Sequence, residues 1–431
     1  MTRFNFDRIH IYYMIILSMF LSPHNLKNKI LADRCNSIMF RKSRGRNLFL
    51  VGGYIRDTLR GISSADRDYV MTGDAKTFVS QINKVFQATV IEFKKGKMIR
   101  LSLKDGITLD ISRLEGSLKE DLSSRDFTVN AIAWSPDYGL VDPYNGLKDL
   151  RKRIVRALSE KNMISDPLRL IRAYRFAAEL NGSIDKRTRK LIKNLHATVE
   201  TTSPERITSE LFNILNLDNP ARYLKMALSD SLLLTIIPIS ENTLKQNIKA
   251  ISDLGEKLKK LPLKAKSQLK NLFSQNLTFG GLPRIEVLLW QDSSFSSLLF
   301  PNLKLSHKII KRITLAHRGM MEFENINLFD FFYETKESSL DVLIIEDRTD
   351  LLEDYERFVN IWKRGVIDSC EISQISKIEG PMLGRLIKRV KKAEFQREIN
   401  SKREAVNLIK TFLQNISSKN FQRPIDHFTK E

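Results

Sequence analysis

Two carboxylates one residue apart give this chain its clearest chemical signal. Residues 66–70 read DRDYV, a pattern typical of a strand. Because successive strand side chains point to opposite faces, Asp66 and Asp68 share one face, about 6.5–7 Å apart. Two carboxylates at that separation can hold a pair of Mg²⁺ ions, which prefer oxygen ligands. The pattern predicts a catalytic metal site that activates a hydroxyl and neutralises a triphosphate, although an isolated Asp-x-Asp is more often a solvated turn.

A glycine turn precedes these carboxylates. Residues 48–57 read LFLVGGYIRD, an apolar strand followed by two glycines and the start of a helix. Gly52 and Gly53 allow the backbone to approach a phosphate closely, and unpaired N–H groups at a helix start favour anions. Arg56 is placed to donate a forked hydrogen bond to phosphate oxygens. Together with the carboxylates, the turn predicts a nucleoside triphosphate site.

A third carboxylate, Asp110, lies in a segment that alternates like a strand. Residues 107–111 read ITLDI, and residues 98–103 read MIRLSL and are expected to form the partner strand. Asp110 is therefore a further catalytic residue, as a metal ligand or a general base. The alternative is an exposed strand aspartate with no role in chemistry.

Five motifs in order resemble the bacterial (class II) tRNA nucleotidyltransferase, or CCA-adding enzyme, and poly(A) polymerase family, within the polymerase-beta-like nucleotidyltransferases. The resemblance is continuous from about residue 47 to residue 211 and patchy to about residue 409. The motifs are GGYIRDTLRG (52–61) with DRD (66–68), SRDFTVNAIA (124–133), DPYNGLKDL (142–150) with IVR (154–156), DPLRLIRAYRF (166–176) and ERITSEL (205–211).

The resemblance implies an α+β fold: a small mixed sheet with helices, followed by an all-α neck, body and tail. We expect residues 1–44 to be an extension outside the core and residues 45–156 to be the catalytic head. Residues 157–215 are expected to form a helical neck that recognises the base, and residues 216–431 a helical body and tail that bind tRNA.

The fourth motif is implied to select the nucleotide. In the family its Asp and Arg hydrogen-bond the incoming base, which here assigns that role to Asp166 and Arg169. A carboxylate accepts from the exocyclic amine that C and A share, and a guanidinium donates to ring acceptors. Arg172 and Arg175 follow at three-residue spacing and are expected to reach the triphosphate. Phe176 is expected to make apolar contacts on another side of this helix.

The second motif is implied to hold phosphate and sugar. Arg125 is expected at the phosphate or ribose, Asp126 at the sugar hydroxyl, and Asn130 in the hydrogen bonds that fix the loop; the alternative is a local cap arrangement. Ser124 replaces the family's usual first Arg. The segment between Asp110 and Arg125 is short, which resembles members that add only C.

The formal net charge of +21 over 431 residues suits a polyanionic partner. After residue 212 the pattern is mainly helical, and a basic helix near the C-terminus carries four residues expected to contact RNA phosphates. A solvated helix face is the alternative. The four residues are Arg385, Lys388, Arg389 and Lys392.

The N-terminus carries an apolar run at residues 11–21 that imitates a secretory signal but is too short to span a membrane. Two cysteines far apart, Cys35 and Cys370, support neither a disulfide framework nor a zinc site. We therefore expect a cytoplasmic protein without stable membrane association.

These observations predict a template-independent enzyme that uses Mg²⁺ to add C and/or A from CTP and ATP to the 3′ end of tRNA. A poly(A) polymerase and a CC-adding enzyme are the close alternatives, since the motifs do not separate them. A catalytically silent RNA-binding protein is the alternative from another class, against which the intact Asp66, Asp68 and Arg125 argue.

Overall fold

The computed structural model describes residues 23–43, 46–93, 97–291 and 300–420; the apolar run at residues 11–21 lies outside them. The chain divides into two compact units. The first comprises residues 1–252 and 299–304, and the second comprises residues 253–298 and 305–431. Among the described residues, no helix is both long enough and apolar enough to span a membrane.

A seven-stranded mixed sheet forms the centre of the first unit, in the order β3-β4-β5-β2-β1-β6-β7. The pairing of β2 with β5 is parallel and the other pairings are antiparallel. The strands are β1 (Leu48–Val51), β2 (Asp66–Met71), β3 (Thr89–Phe93), β4 (Met98–Ser102), β5 (Thr108–Arg113), β6 (Ala133–Ser135) and β7 (Gly139–Val141).

The register of this sheet brings three charged residues into one row. Asp68 on β2 lies opposite Asp110 on β5, and Asp110 lies opposite Arg100 on β4. Leu109 and Ile111, which flank Asp110, are fully buried. Because neighbours in one row of a sheet share a face, the three polar side chains leave the sheet on the same side.

Helices cover this sheet and continue the first unit, so the predicted α+β class is confirmed. They are α1 (Pro23–Ala32), α2 (Arg34–Lys42), α3 (Gly53–Leu59), α4 (Ala75–Phe86), α5 (Leu118–Ser123), α6 (Gly146–Arg151), α7 (Glu160–Ser165), α8 (Leu168–Glu179), α9 (Lys186–Leu195), α10 (Pro204–Leu215), α11 (Pro220–Ser229), α12 (Leu232–Ile236) and α13 (Glu241–Lys260), which continues into the second unit's range. Two short strands, β8 (Ile154–Val155) and β9 (Ser183–Ile184), pair in parallel.

The second unit is helical apart from one short ladder, β10 (Leu272–Ser274) with β11 (Leu277–Thr278). The region after the head is therefore largely rather than wholly α-helical. The helices are α14 (Leu263–Leu269), α15 (Leu282–Leu288), α16 (His307–Glu322), α17 (Leu328–Thr335), α18 (Ser339–Ile345), α19 (Leu352–Lys363), α20 (Ser369–Ser376), α21 (Gly380–Phe395) and α22 (Lys402–Asn420).

The expectation that residues 1–44 lie outside the core is wrong for residues 23–43. Arg67, on the opposite face of β2 from Asp66 and Asp68, is 5% exposed and forms an ion pair with Asp33 at 2.6 Å. The Tyr69 hydroxyl donates to Asn36 at 2.5 Å. Helices α1 and α2 thus cover the back of the strand that carries the paired carboxylates. The amphipathic pattern of these helices is short and follows the more apolar run at residues 11–21, so the sequence does not reveal it.

We expect Asp33→Ala to lower the free energy of unfolding by about 3–5 kcal/mol, because it leaves the buried Arg67 without its counter-charge. It also removes the carboxylate that accepts the Asn36 backbone N–H at the start of α2. Asp33→Asn keeps that acceptor but not the charge and should lose less. Urea unfolding measures both. Equal stability of Asp33→Ala and the wild type would contradict this role of α2.

Candidate functional site

One cleft of about 700 Å³ in the first unit gathers every predicted catalytic and nucleotide-binding residue except Asp110. Its lining comes mainly from residues 52–64, the start of β2, residues 125–130, and α8 with the residue Asp166 before it. The predicted residues that line it are Gly52, Gly53, Arg56, Asp66, Asp68, Arg125, Asp126, Asn130, Asp166, Arg169, Arg172 and Arg175. The central strands β1 and β2 and helix α8 therefore form one site from motifs that lie far apart in the sequence.

Asp66 and Asp68 lie on one face of β2, as their spacing predicts. The Thr108 hydroxyl donates to Asp66. Burial raises the pKa of Asp68; Arg125 opposes this rise, while Asp110 and Asp66 add to it. Within the described residues, the Asp68 carboxylate accepts no hydrogen bond, and Arg125 is the main charge that offsets it.

This carboxylate pair fits a divalent cation that takes its other ligands from elsewhere. The described ranges contain no cluster of three or more His, Cys, Asp or Glu side chains that could hold a metal. Mg²⁺ usually takes one or two carboxylates and fills its remaining positions with water and substrate phosphates. Asp66 and Asp68 are suited to that kind of site.

Asp110 lies beside Asp68 in the sheet but does not line the cleft. Its two carboxylate oxygens accept from Nε and Nη2 of Arg100, each at 2.7 Å. Arg100 faces Asp110 across the β4–β5 ladder, so the pair is fixed by register. A carboxylate that accepts hydrogen bonds from a guanidinium at both oxygens is a poor base. A catalytic role for Asp110 therefore requires that Arg100 release it.

Gly52 permits the close approach between the turn and Arg125. Its φ is 77°, and a Cβ at this position would lie 2.7 Å from Arg125 Nη1 and 3.6 Å from Asp68 Oδ2. Any side chain here would be strained and would displace the guanidinium. The glycine therefore lets Arg125 reach the paired carboxylates, while Asp121 holds the other side of that guanidinium at 3.3 Å.

A hydrogen-bonded chain links the two sides of the cleft through residues 126–130. Arg56 Nη1 donates to Asn130 Oδ1 at 2.5 Å, and Asn130 Nδ2 donates to Asp126 Oδ1 at 2.9 Å. Asp126 Oδ2 accepts two hydrogen bonds from Arg172, at 2.9 and 2.7 Å. Burial alone would raise the pKa of Asp126, but Arg172 and these hydrogen bonds lower it below its usual value. Asp126 thus supports Arg172, a role not foreseen by its assignment to a sugar hydroxyl.

The cleft holds as many carboxylates as arginines. Six of each line it, so its side chains carry no formal net charge. The arginines are Arg56, Arg60, Arg125, Arg169, Arg172 and Arg175, and the acids are Asp57, Asp66, Asp68, Asp126, Asp166 and Glu179. A triphosphate therefore needs cations in addition to these arginines, and the metal site would provide them.

Asp166 lies at the junction of α7 and α8, at another side of the cleft. It accepts from Arg206 Nη2 at 3.1 Å, and Arg169 Nε lies 3.9 Å away. Arg169 Nη1 also donates to the Asn162 carbonyl at 3.1 Å. No side chain caps the start of α8, so the Asp166 carboxylate is not used as a helix cap. The carboxylate faces the cleft between two guanidiniums instead.

The basic face predicted on α21 is partly neutralised. Lys388 and Lys392 both form ion pairs with Asp330, at 3.0 and 2.5 Å, and so link α21 to α17. Arg385 and Arg389 are exposed, and Arg389 lies 3.5 Å from Glu398. Only the two arginines present their side chains as an RNA contact would require. Helical spacing alone could not reveal the acid on α17.

The sequence pattern missed several cleft residues. Glu179 lies 3.0 Å from Arg175, and the four-residue spacing on α8 could have indicated this pair. Glu210 is 2.6 Å from Arg175 and 3.6 Å from Arg172, a contact that depends on packing between α8 and α10. Phe176, which was expected on another side of α8, lines the cleft beneath the arginines.

Comparison with family models gives two matches. Residues 102–156 match the poly A polymerase head domain. Residues 183–244 match a domain described as the probable RNA- and SrmB-binding site of polymerase A.

Named relatives match less than half of the chain. A CC-adding tRNA nucleotidyltransferase of Synechocystis sp. is 35% identical over 188 residues, covering 43% of this chain and 45% of that protein. An A-adding tRNA nucleotidyltransferase of Halalkalibacterium halodurans is 35% identical, covering 38% of this chain and 44% of that protein. The chain thus spans less than half the length of these two relatives.

A solved structure has the same fold over most of the chain. The Thermotoga maritima CCA-adding enzyme, in complex with tRNA, aligns with a TM-score of 0.71 and 20% identity. The alignment covers 92% of this chain and 99% of that one. The predicted architecture, a head with a small mixed sheet followed by a helical body, is confirmed.

We expect Asp68→Asn to raise the melting temperature of the metal-free protein at pH 7. A carboxyl whose pKa is raised by folding stabilises the folded state while protonated, and this contribution is lost as the pH rises through that pKa. The gain in melting temperature over the wild type should therefore shrink as the pH falls towards 4. The same variant should lose Mn²⁺ binding, measured by titration calorimetry. Unchanged metal affinity, or a gain matched by the exposed control Asp137→Asn, would contradict the assignment.

Proposed function

We propose that this chain, which belongs to the bacterial tRNA nucleotidyltransferase and poly(A) polymerase family, adds C and/or A residues from CTP and ATP to the 3′ end of tRNA. The supporting observation is a single cleft that combines a carboxylate pair, an arginine cluster and an Asp-Arg pair suited to a base edge. Each part serves one requirement of template-independent phosphoryl transfer. We further propose that it acts in the cytoplasm, where its substrates are found.

The carboxylate pair would serve the reacting phosphate. We assign Mg²⁺ to Asp66 and Asp68, with the triphosphate and water as its remaining ligands. When bound, the metal lowers the pKa of the attacking RNA hydroxyl and offsets charge on the leaving pyrophosphate. The sheet sets the direction in which the Asp68 carboxylate points. Asp110, on the neighbouring strand, would assist catalysis once Arg100 no longer pairs with it.

The arginine cluster would hold the triphosphate. Arg125, beside Gly52, is placed close to the carboxylate pair and suits the phosphate nearest the reaction. Arg56, Arg172 and Arg175 also line the cleft and are assigned to the other phosphates. Their guanidiniums are held by Asn130, Asp126 and Glu179, which reduces the ordering needed when the nucleotide binds.

Base selection would depend on Asp166 and Arg169. The carboxylate accepts from the exocyclic amine of C or A, and the guanidinium donates to a ring acceptor. U offers no such amine at the equivalent position, so its binding would leave a carboxylate unpaired in the site. Residues 157–215 thus form the proposed base-recognition neck.

The tRNA partner is proposed from charge and relatedness. The net charge of +21 suits a polyanion, and residues 183–244 match a probable RNA-binding domain. We propose that the chain beyond residue 216 contacts tRNA, with Arg385 and Arg389 as exposed contacts. The relatives add CC or A, and the structural neighbour is a CCA-adding enzyme, so the added residues require direct measurement.

A poly(A) polymerase is the second candidate, because the head matches a family described by that activity. The short segment between Asp110 and Arg125 favours a CC-adding enzyme among the tRNA-specific choices. A silent RNA-binding protein would not require a half-buried Asp68 with few hydrogen bonds in a cleft lined by six arginines.

The deciding assay is incorporation of labelled CTP and ATP with Mg²⁺ onto tRNA transcripts that end before CCA, after C or after CC. An unstructured RNA is the parallel acceptor. We expect addition limited to tRNA and ending after one to three residues. Long A tails on the unstructured RNA would favour poly(A) polymerase. No incorporation, or equal incorporation by Asp66→Ala/Asp68→Ala, would contradict the proposal.

We expect Asp166→Asn to relax nucleotide selection. An amide can donate as well as accept, so the variant no longer penalises a base without the exocyclic amine. The ratio of UTP to CTP incorporation should rise about tenfold or more, while metal affinity stays unchanged. Single-nucleotide addition kinetics with each NTP measures this ratio. Arg222→Ala is the control outside the cleft, and an unchanged ratio in Asp166→Asn would contradict base readout by Asp166.

A further inference from the structure

Three guanidinium groups lie over one aromatic ring in the cleft. The Cζ atoms of Arg175, Arg56 and Arg172 are 4.2, 4.8 and 5.1 Å from the centroid of the Phe176 ring. The ring itself is only 2% exposed, because these groups and the surrounding core cover it. Both α3 and α8 contribute arginines, so the ring lies where two elements of the cleft meet.

The edges of the same guanidiniums are bonded to acids. Arg56 contacts Asp57 at 2.9 Å, and Arg175 contacts Glu179 at 3.0 Å. Since a guanidinium is planar, its edge can donate to carboxylates while its flat face lies on a ring. The ring and the acids together therefore determine both the position and the tilt of each charged group.

Three positive charges this close repel one another, and the repulsion grows as water is excluded. The negative face of an aromatic ring attracts cations without accepting their N–H groups. The N–H groups that the acids leave free therefore remain available to an anion in the cleft. An apolar side chain of the same size would fill the space but would not attract the arginines.

We infer that Phe176 is a positioning residue whose ring holds Arg56, Arg172 and Arg175 in the arrangement that binds the triphosphate. This inference rests on the proposed function for the identity of the ligand. It extends that function by assigning part of the triphosphate affinity to a residue without a polar atom. The contribution comes from pre-organisation, because the arginines are held before the nucleotide arrives.

Site-specific replacement of Phe176 by mono-, di- and trifluorophenylalanine tests the inference in the full chain. Fluorination weakens the negative face of the ring with little change in its shape. Calorimetry with inorganic triphosphate and Mg²⁺ is the readout. We expect a stepwise loss of affinity that reaches about 2- to 30-fold, the range of cation–π contributions. Phe176→Leu should lose affinity to a similar extent.

Phe78 supplies the matched control, because it is buried and lies under Arg46 at 5.7 Å but does not line the cleft. Fluorination there should leave triphosphate affinity unchanged. Equal triphosphate affinity across the Phe176 series would overturn the inference, whether or not the melting temperature falls. A wild-type protein that does not bind triphosphate would also overturn it. Triphosphate binding with the expected series but no transfer to RNA would overturn the proposed function alone.

Discussion

The balance of charge within one cleft is the constraint on which the rest of this structure depends. Six arginines and six carboxylates line the same space, and neither sign prevails. Without the acids, the arginines would repel one another, and without the arginines, the carboxylates would be costly to bury. Pairing the two kinds of charge offsets the cost of bringing each into the cleft. It also means that a triphosphate cannot be held by the arginines alone, since their charge is already matched.

Secondary structure fixes where this balance is left incomplete. The sheet register sets Asp68 beside Asp110, and Arg100 pairs with Asp110, so Arg125 is the main charge that offsets Asp68. On the reverse of β2, Arg67 and Asp33 hold the strand against α2. Among the described residues, β2 is thus ion-paired to α2 on one face and carries two carboxylates without an ion pair on the other. A dication at Asp66 and Asp68 would supply their local counter-charge.

Much of the site could be predicted because its chemistry depends on local spacing. The Asp-x-Asp pair and the glycine turn follow from strand and turn patterns that are visible in the sequence, whereas the role of the α8 arginines is implied by the resemblance to the family. The Arg100–Asp110 pair and the Lys388–Asp330 pair could not be predicted, because each joins residues whose proximity depends on register or packing. The same holds for Phe176, because the three arginines over its ring come from both α3 and α8, whose packing the sequence does not show. The packing of residues 23–43 into the core could not be predicted either, because their apolar face is short and follows a more apolar run.

The coupling between metal and nucleotide tests this account most directly. We would measure the dissociation constant of CTP by calorimetry, first in a chelator and then across a range of Mg²⁺ concentrations. A charge-balanced cleft predicts CTP binding at least about 100-fold weaker without the divalent cation, and no such difference in Asp66→Asn/Asp68→Asn. Equal CTP affinity with and without Mg²⁺ in the wild type would show that the arginines suffice and would contradict the account.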